Sequence, residues 1–169
     1  ESINFILGYY NYKIAGTSLI REDIVDYYIY NISKFWVSKQ EAIEWFRVAM
    51  LWDNNLEIMP VLWALENLSS HKNKGYSFKI VTARQSEILS EYTQKWVEKH
   101  YPSIFENILF ANHKFTSKDI TKSELCKQHN IEMMVEDNFD YALDLAENWI
   151  FTFLLEKPWN KNFQIHHPN

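Results

Sequence analysis

Apolar positions recur along the chain in two rhythms. Near the start they follow a helical period: Ile3, Ile6, Leu7, Tyr10 and Ile14 fall at i, i+3, i+4, i+7 and i+11, which predicts an opening helix ended by Gly16. Residues 17–59 are mixed and aromatic, with a helix expected across Gln40 to Leu51 whose Ile43, Phe46 and Met50 share a face. Pro60 stands where a helix would begin; Val61, Leu62, Leu65 and Leu68 continue it and Gly75 closes it. From Phe78 the rhythm changes to short apolar runs alternating with helical stretches. Phe78 to Val81 reads as a buried strand leading into Thr82, followed by a helix face of Ile88, Leu89, Tyr92, Trp96 and Val97. Ile108 to Phe110 is a second strand, Asp119 to His129 a helix, and Met133 to Val135 a third strand ending at Glu136-Asp137. Phe139, Ala142, Leu143 and Ala146 mark the next helix, and Ile150 to Leu155 a fourth strand. Alternation of this length predicts an α/β fold with a largely parallel sheet covered by helices on both faces.

Composition narrows the classes. At 169 residues the chain fits one domain, and 47% apolar residues, 17% of all residues being aromatic, supply a substantial core. No apolar run approaches the roughly 20 residues of a membrane span, so no membrane partnership is expected. A net charge of -5 with dispersed Lys and Arg gives no basic face for a nucleic-acid duplex. One cysteine, Cys126, cannot form an internal disulfide, which fits a reducing, cytoplasmic compartment; on its helix it reads as a small packing residue. Three scattered glycines assemble no phosphate-cradling loop of the dinucleotide or P-loop type. The six His, with His166-His167 near the end, show no metal-ligand spacing. The chain opens at Glu1 without a Met, which leaves room for a native start further upstream.

In parallel sheets the chemistry gathers at the carboxyl ends of the strands. Thr82 and Arg84 follow the first strand there, and Glu136 and Asp137 follow the third, with Asp140 one helical step on. Lys122 opens the helix before that third strand. A hydroxyl, an ammonium and paired carboxylates on one rim suit a phosphoryl group and a hard cation such as Mg²⁺, and Arg84 could add a bidentate phosphate contact. Each residue alone has a plainer reading: Thr82 as a helix cap, Lys122 as a solvated helix residue, Glu136 and Asp137 as acids favoured at a helix N-terminus, Arg84 as a surface ion-pair partner. Their order along an α/β alternation is what favours the chemical reading.

With that order on the page, the segments KIVTAR (Lys79 to Arg84), TKSELCKQHNIEMMVEDNFDYALDLAE (Thr121 to Glu147) and LLEKPWN (Leu154 to Asn160) resemble the haloacid dehalogenase-like (HAD) superfamily of phosphohydrolases, especially its small 5'-nucleotidase-like members. The resemblance implies one HAD-like Rossmannoid domain over residues 1–169, with a small, mainly helical cap at residues 16–60. It implies that Thr82 and Lys122 bind the phosphoryl group and that Glu136 and Asp137, with Asp140, hold magnesium. The substrate class it implies is a small phosphomonoester, of which a nucleotide is one kind.

The chain departs from that family at one point. The family's first motif, Asp-x-Asp at the end of a central first strand, supplies the nucleophile and the general acid/base. The seven aspartates here include no Asp-x-Asp. Without a carboxylate nucleophile the chain as given is expected to be inactive, and with fewer carboxylates Mg²⁺ binding is expected to be weak or absent. The rival reading is a non-catalytic HAD-like protein that uses its cap aromatics (Tyr27, Tyr28, Tyr30, Phe35, Trp36, Trp45, Phe46, Trp52) as a partner surface, although core filling is their default role. A receiver-like reading also uses Thr and Lys around acids, but leaves no room for the long insert before Val81. The missing central strand leaves a gap between the strands ending at Thr82 and Asp137. Direct pairing of those two strands, or a strand donated by another chain, is expected to close it, because the helical spacing near the N-terminus makes that segment a poor filler.

Overall fold

The computed structural model describes residues 2–13, 18–51, 56–111 and 120–161, with the side chains of residues 2–6 and 13 outside the description. Ile14, Gly16, Trp52, Asp53, His113, Asp119, His166 and His167 lie outside the described residues. The opening stretch is helix α1 (Ser2–Lys13), as its apolar period predicts. Leu7 and Tyr10 are buried from it against Leu19, Ile24, Ile32, Phe35 and Trp159. Three short 3₁₀ turns (Arg21–Asp23, Ile29–Asn31, Ser33–Phe35) lead to α2 (Lys39–Met50), which opens on a capping box of Ser38 and Glu41.

Helix α2 buries Met50 of the face its large apolar residues mark, but its inward face is rotated away from Phe46. Ala42, Ala49 and Met50 are buried and Trp45 packs on the core, while Phe46 is 41% exposed. The cause is the neighbour: the Tyr10 ring meets Phe35 and Trp45, and its hydroxyl donates to the Ala42 carbonyl at 3.1 Å. Small side chains let the two backbones approach. The helix expected from Pro60 begins later, as α3 (Ala64–Asn73), and leaves Val61, Leu62 and Trp63 outside it and exposed. Gly75 ends that region at φ +94°, a left-handed conformation that glycine adopts without a Cβ penalty.

The second half alternates as expected: β1 (Phe78–Thr82), α4 (Ser86–His100), β2 (Phe105–Phe110), α5 (Lys122–Gln128), β3 (Met133–Glu136), α6 (Phe139–Glu147) and β4 (Phe151–Leu154). β1 pairs in parallel with β2, Thr82 opposite Phe110, and β3 in parallel with β4, Glu136 opposite Leu154. The expected single sheet is therefore two two-stranded sheets among the described residues. The strands ending at Thr82 and Glu136 do not pair with each other, and the N-terminal residues, being helical, fill no strand position. The β3–β4 sheet is covered on one face only among the described residues, since Met133, Val135, Phe151 and Phe153 are each about half exposed. No described helix is long and apolar enough to cross a membrane.

The helix-to-strand connections after α5 and α6 share one device. After α5, Asn130 takes φ 52° and the Ile131 N–H donates to the Cys126 carbonyl at 2.8 Å; after α6, Trp149 takes φ 64° and the Ile150 N–H donates to the Leu145 carbonyl at 3.0 Å. These are Schellman-type endings in which the following isoleucine folds back on the helix. Ile131 and Ile150 join Cys126, Met134 and Leu145 in one cluster, against which Val81 of β1 packs. Helix α6 thus buries Ala142 and Leu145, while Leu143 of its expected face is exposed. The same burial pushes the Cys126 thiol up to about 11, as befits a packing residue.

Trp149 is 95% exposed and holds a left-handed conformation that a bulky residue adopts at a cost of about 1–2 kcal/mol. Trp149→Gly is expected to stabilise the fold by about 0.5–1 kcal/mol after the added freedom of the unfolded chain is subtracted, read as a higher midpoint in urea. A lower midpoint would mean that the indole contributes a contact of its own.

Candidate functional site

Glu136, the last residue of β3, sits at the centre of the polar site. It is 7% exposed, and its carboxylate is used on both sides. Oε2 accepts from the Nζ of Lys122, and Oε1 accepts from the backbone N–H groups of Asp137 at 3.0 Å and Asn138 at 3.1 Å. Lys122 is itself buried and lies over the Tyr141 ring, 4.4 Å from its centroid. Local sequence explains its placement: Thr121 and Glu124 form a capping box, with Thr121 Oγ1 accepting from the Glu124 N–H at 3.1 Å, so α5 starts at Lys122 and aims it across at β3. Asn138 caps α6 by accepting from the Tyr141 N–H at 3.0 Å.

Asp137 occupies the turn between β3 and α6. Burial, reinforced by the Glu136 carboxylate beside it, raises its carboxyl pKa above the ordinary value, against the pull of Lys122 and Lys157. Its carbonyl accepts from Trp159 Nε1 and from Asn160 Nδ2, both at 2.9 Å. Asn160 also donates to the Leu155 carbonyl at 2.7 Å and accepts from the Lys157 N–H at 2.8 Å. The LLEKPWN segment therefore acts as a clamp on the Asp137 backbone.

Thr82 and Arg84 stand at the end of β1. The Thr82 hydroxyl accepts from the Arg84 N–H at 3.3 Å, and the Arg84 guanidinium donates to Thr93 Oγ1 of α4 at 3.1 Å. Burial lowers the Arg84 pKa, partly offset by the Tyr27 hydroxyl nearby. Tyr27 connects the two strand ends. Although 41% of its surface is open, its hydroxyl is desolvated and feels Asp137, Tyr141 and Glu136, and these together raise its pKa. A side chain that lies near both Arg84 and Asp137 puts the carboxyl ends of β1 and β3 on one side of the molecule. Tyr28 and Tyr141 share a hydrogen bond between their hydroxyls, and burial first, then Tyr28, pushes Tyr141 up to about 12.

The structure thus brings Lys122, Glu136 and Asp137 together, and the Tyr27 hydroxyl feels Asp137 and Glu136 while bearing in turn on Arg84. The Thr82 hydroxyl is engaged locally, and Asp140 is exposed on the first turn of α6, where its charge bears on Tyr28 and Tyr141. Among the described residues no three His, Cys, Asp or Glu side chains converge as a metal set. Tyr27, Tyr141, Trp159 and Asn160 are the members that strand-end reasoning omits. Tyr27 carried a signal, as part of the aromatic run before Trp36; Tyr141 had none beyond lying four residues after Asp137.

Compared with known proteins, the chain matches no family model, no curated protein and no solved structure.

Two expectations follow. Lys122→Met leaves Glu136 buried without its counter-charge and is expected to cost about 3–5 kcal/mol in denaturant unfolding, with the double change Lys122→Met, Glu136→Leu recovering much of the loss; equal losses in both would remove the ion pair as the cause. For Asp137, a raised folded pKa means stability is fully present below the unfolded carboxyl value of about 3.9 and is lost as pH rises through the folded value. Asp137→Asn is therefore expected to stabilise at pH 7 and to flatten the decline above about pH 4, measured as urea midpoints against pH. Parallel profiles for the two proteins would contradict it.

Proposed function

We propose that this chain carries the phosphoryl-binding and acidic portion of a HAD-like, Mg²⁺-dependent phosphohydrolase site for a small phosphomonoester, and that these 169 residues alone do not turn substrate over. The observation that supports the reading most is the buried Lys122–Glu136 pair beside Asp137 at the carboxyl end of a parallel strand, with Arg84 facing it across Tyr27. Lys122 and Thr82 would take the phosphoryl oxygens and Arg84 would add charge. A parallel strand lying along the free edges of β1 and β3 would complete an order β2-β1-strand-β3-β4 and could carry the missing nucleophile.

Mg²⁺ is the cofactor this reading implies, and the fit within the chain is incomplete. Both Glu136 oxygens are already engaged, burial and the Glu136 carboxylate raise the Asp137 carboxyl pKa, and Asp140 is exposed. Mg²⁺ demands near-octahedral oxygen coordination, so further ligands would have to come from the completing strand.

A non-catalytic binding protein is the second reading. Its support is the number of large apolar side chains on the surface, Trp36 at 88%, Trp63 at 72% and Trp149 at 95% exposed. The native reading frame upstream of Glu1 discriminates: an apolar strand ending in Asp-x-Asp favours the enzyme, its absence the binding protein. The 169-residue chain is expected to leave p-nitrophenyl phosphate intact with Mg²⁺. The chain extended by such a strand is expected to hydrolyse it, with a loss of about 10²-fold or more in Asp137→Ala. Turnover by the 169-residue chain that Asp137→Ala abolishes would overturn the need for a further nucleophile.

A further inference from the structure

A cavity of about 270 Å³ opens between residues 25–31 and the first turn of α6, next to the clamp on Asp137. Six residues set its chemistry. Tyr27, Tyr28, Phe139 and Trp159 give it aromatic walls, and Asp26 and Asp140 add two carboxylates. Its other lining residues are uncharged, and Lys122, which lies over Tyr141, is committed to Glu136. The walls therefore carry two formal negative charges with no cation among them.

One carboxylate and the tyrosine rings are held in place. Asp26 Oδ1 accepts from the Tyr28 N–H at 2.7 Å, and both its oxygens accept from Asn31 Nδ2 at 3.3 Å. Tyr27 meets Tyr28 edge-on at 5.2 Å, and Tyr28 stacks on Tyr30 at 5.5 Å. The indole N–H of Trp159 is spent on the Asp137 carbonyl, so what it offers the cavity is its ring. The same aromatic array already holds one ammonium group at its far end, since Lys39 Nζ lies 5.8 Å from the Tyr30 centroid.

We propose that this cavity binds a small organic cation through an alkylated ammonium head. Ring faces attract a weakly hydrated cation within about 6 Å, and nearby carboxylates add long-range attraction. A hard divalent ion suits it poorly, because such an ion takes six or more oxygens and gains little from aromatic carbon. The volume lies just under the roughly 300–1,000 Å³ of drug-sized sites, which selects a compact ligand. The proposal stands apart from the phosphohydrolase reading, since nothing in it requires a phosphoryl group.

The test compares choline with 3,3-dimethylbutan-1-ol, a neutral molecule of the same shape, by following the Trp159 indole resonance at constant ionic strength. Choline is expected to give a saturable shift and the alcohol to bind at least about tenfold more weakly. Asp140→Asn and Tyr28→Leu are each expected to weaken choline about fivefold while remaining folded, Tyr28→Leu at a lower unfolding midpoint through its lost ring and hydroxyl contacts, and Asp140→Glu to retain it. Equal affinity for choline and the alcohol, no saturable shift at Trp159, or unchanged choline binding in both folded variants would overturn the proposal. Because choline carries no phosphate, failure here leaves the phosphoryl site untouched.

Discussion

A carboxylate removed from water at the end of β3 is the constraint on which the rest of the site depends. Glu136 sits where an uncompensated charge would cost several kcal/mol, so both of its oxygens must find donors. Lys122 supplies one, and the backbone N–H groups of Asp137 and Asn138 supply two more. Meeting that demand fixes three things together: where α5 begins, how the chain turns after β3, and which way α6 departs. The Asp137 carbonyl, turned away from these donors, is then free to receive Trp159 and Asn160. Trp159 belongs to the core of α1 and the 3₁₀ turns, so one indole joins the polar site to the packing of the N-terminal part.

What the sequence makes legible is local. β1 and β3 appear where the apolar runs place them, and α1 follows its period, because these depend on neighbours within one turn or strand. The inward faces of α2 and α6 were legible only in part. Met50 and Ala142 are buried as their periods predict, yet Ala42 and Ala49 face inward in place of Phe46, where Tyr10 and Phe35 already fill the space. In α6 the face is set by the Schellman ending, which places Leu145 under Ile150 and rotates Leu143 outward. Volume complementarity between distant segments decides such cases, and no window of a single sequence contains it.

The candidate site divides in the same way. Lys122, Glu136 and Asp137 could be singled out by their places after helix caps and strand ends, and they do meet. Their roles could not be read so directly. Sequence order treats Glu136 and Asp137 as equivalent acids, whereas burial makes them opposites. One is held by donors on both of its oxygens; the other has its carboxyl pKa raised, first by burial and then by the Glu136 carboxylate beside it. Tyr27 escapes strand-end reasoning because it arrives from a 3₁₀-rich segment more than fifty residues away from Arg84.

The arrangement of the strands carries a further consequence. Among the described residues β1 has β2 on one side and β3 has β4 on one side, and no described strand pairs with the other edge of either. β1 is half-buried along its whole length, and a buried unpaired backbone group costs roughly 1–3 kcal/mol. Two-stranded sheets are marginal on their own, and here the β3–β4 pair relies on α6 packed against it. A parallel strand laid along either edge would gain a ladder of hydrogen bonds without disturbing the Glu136 network, whose donors come from α5 and from the turn after β3 rather than from the edge. Completion of the sheet and assembly of the polar site are therefore energetically separable. A strand added at either edge would meet a charge arrangement already in place.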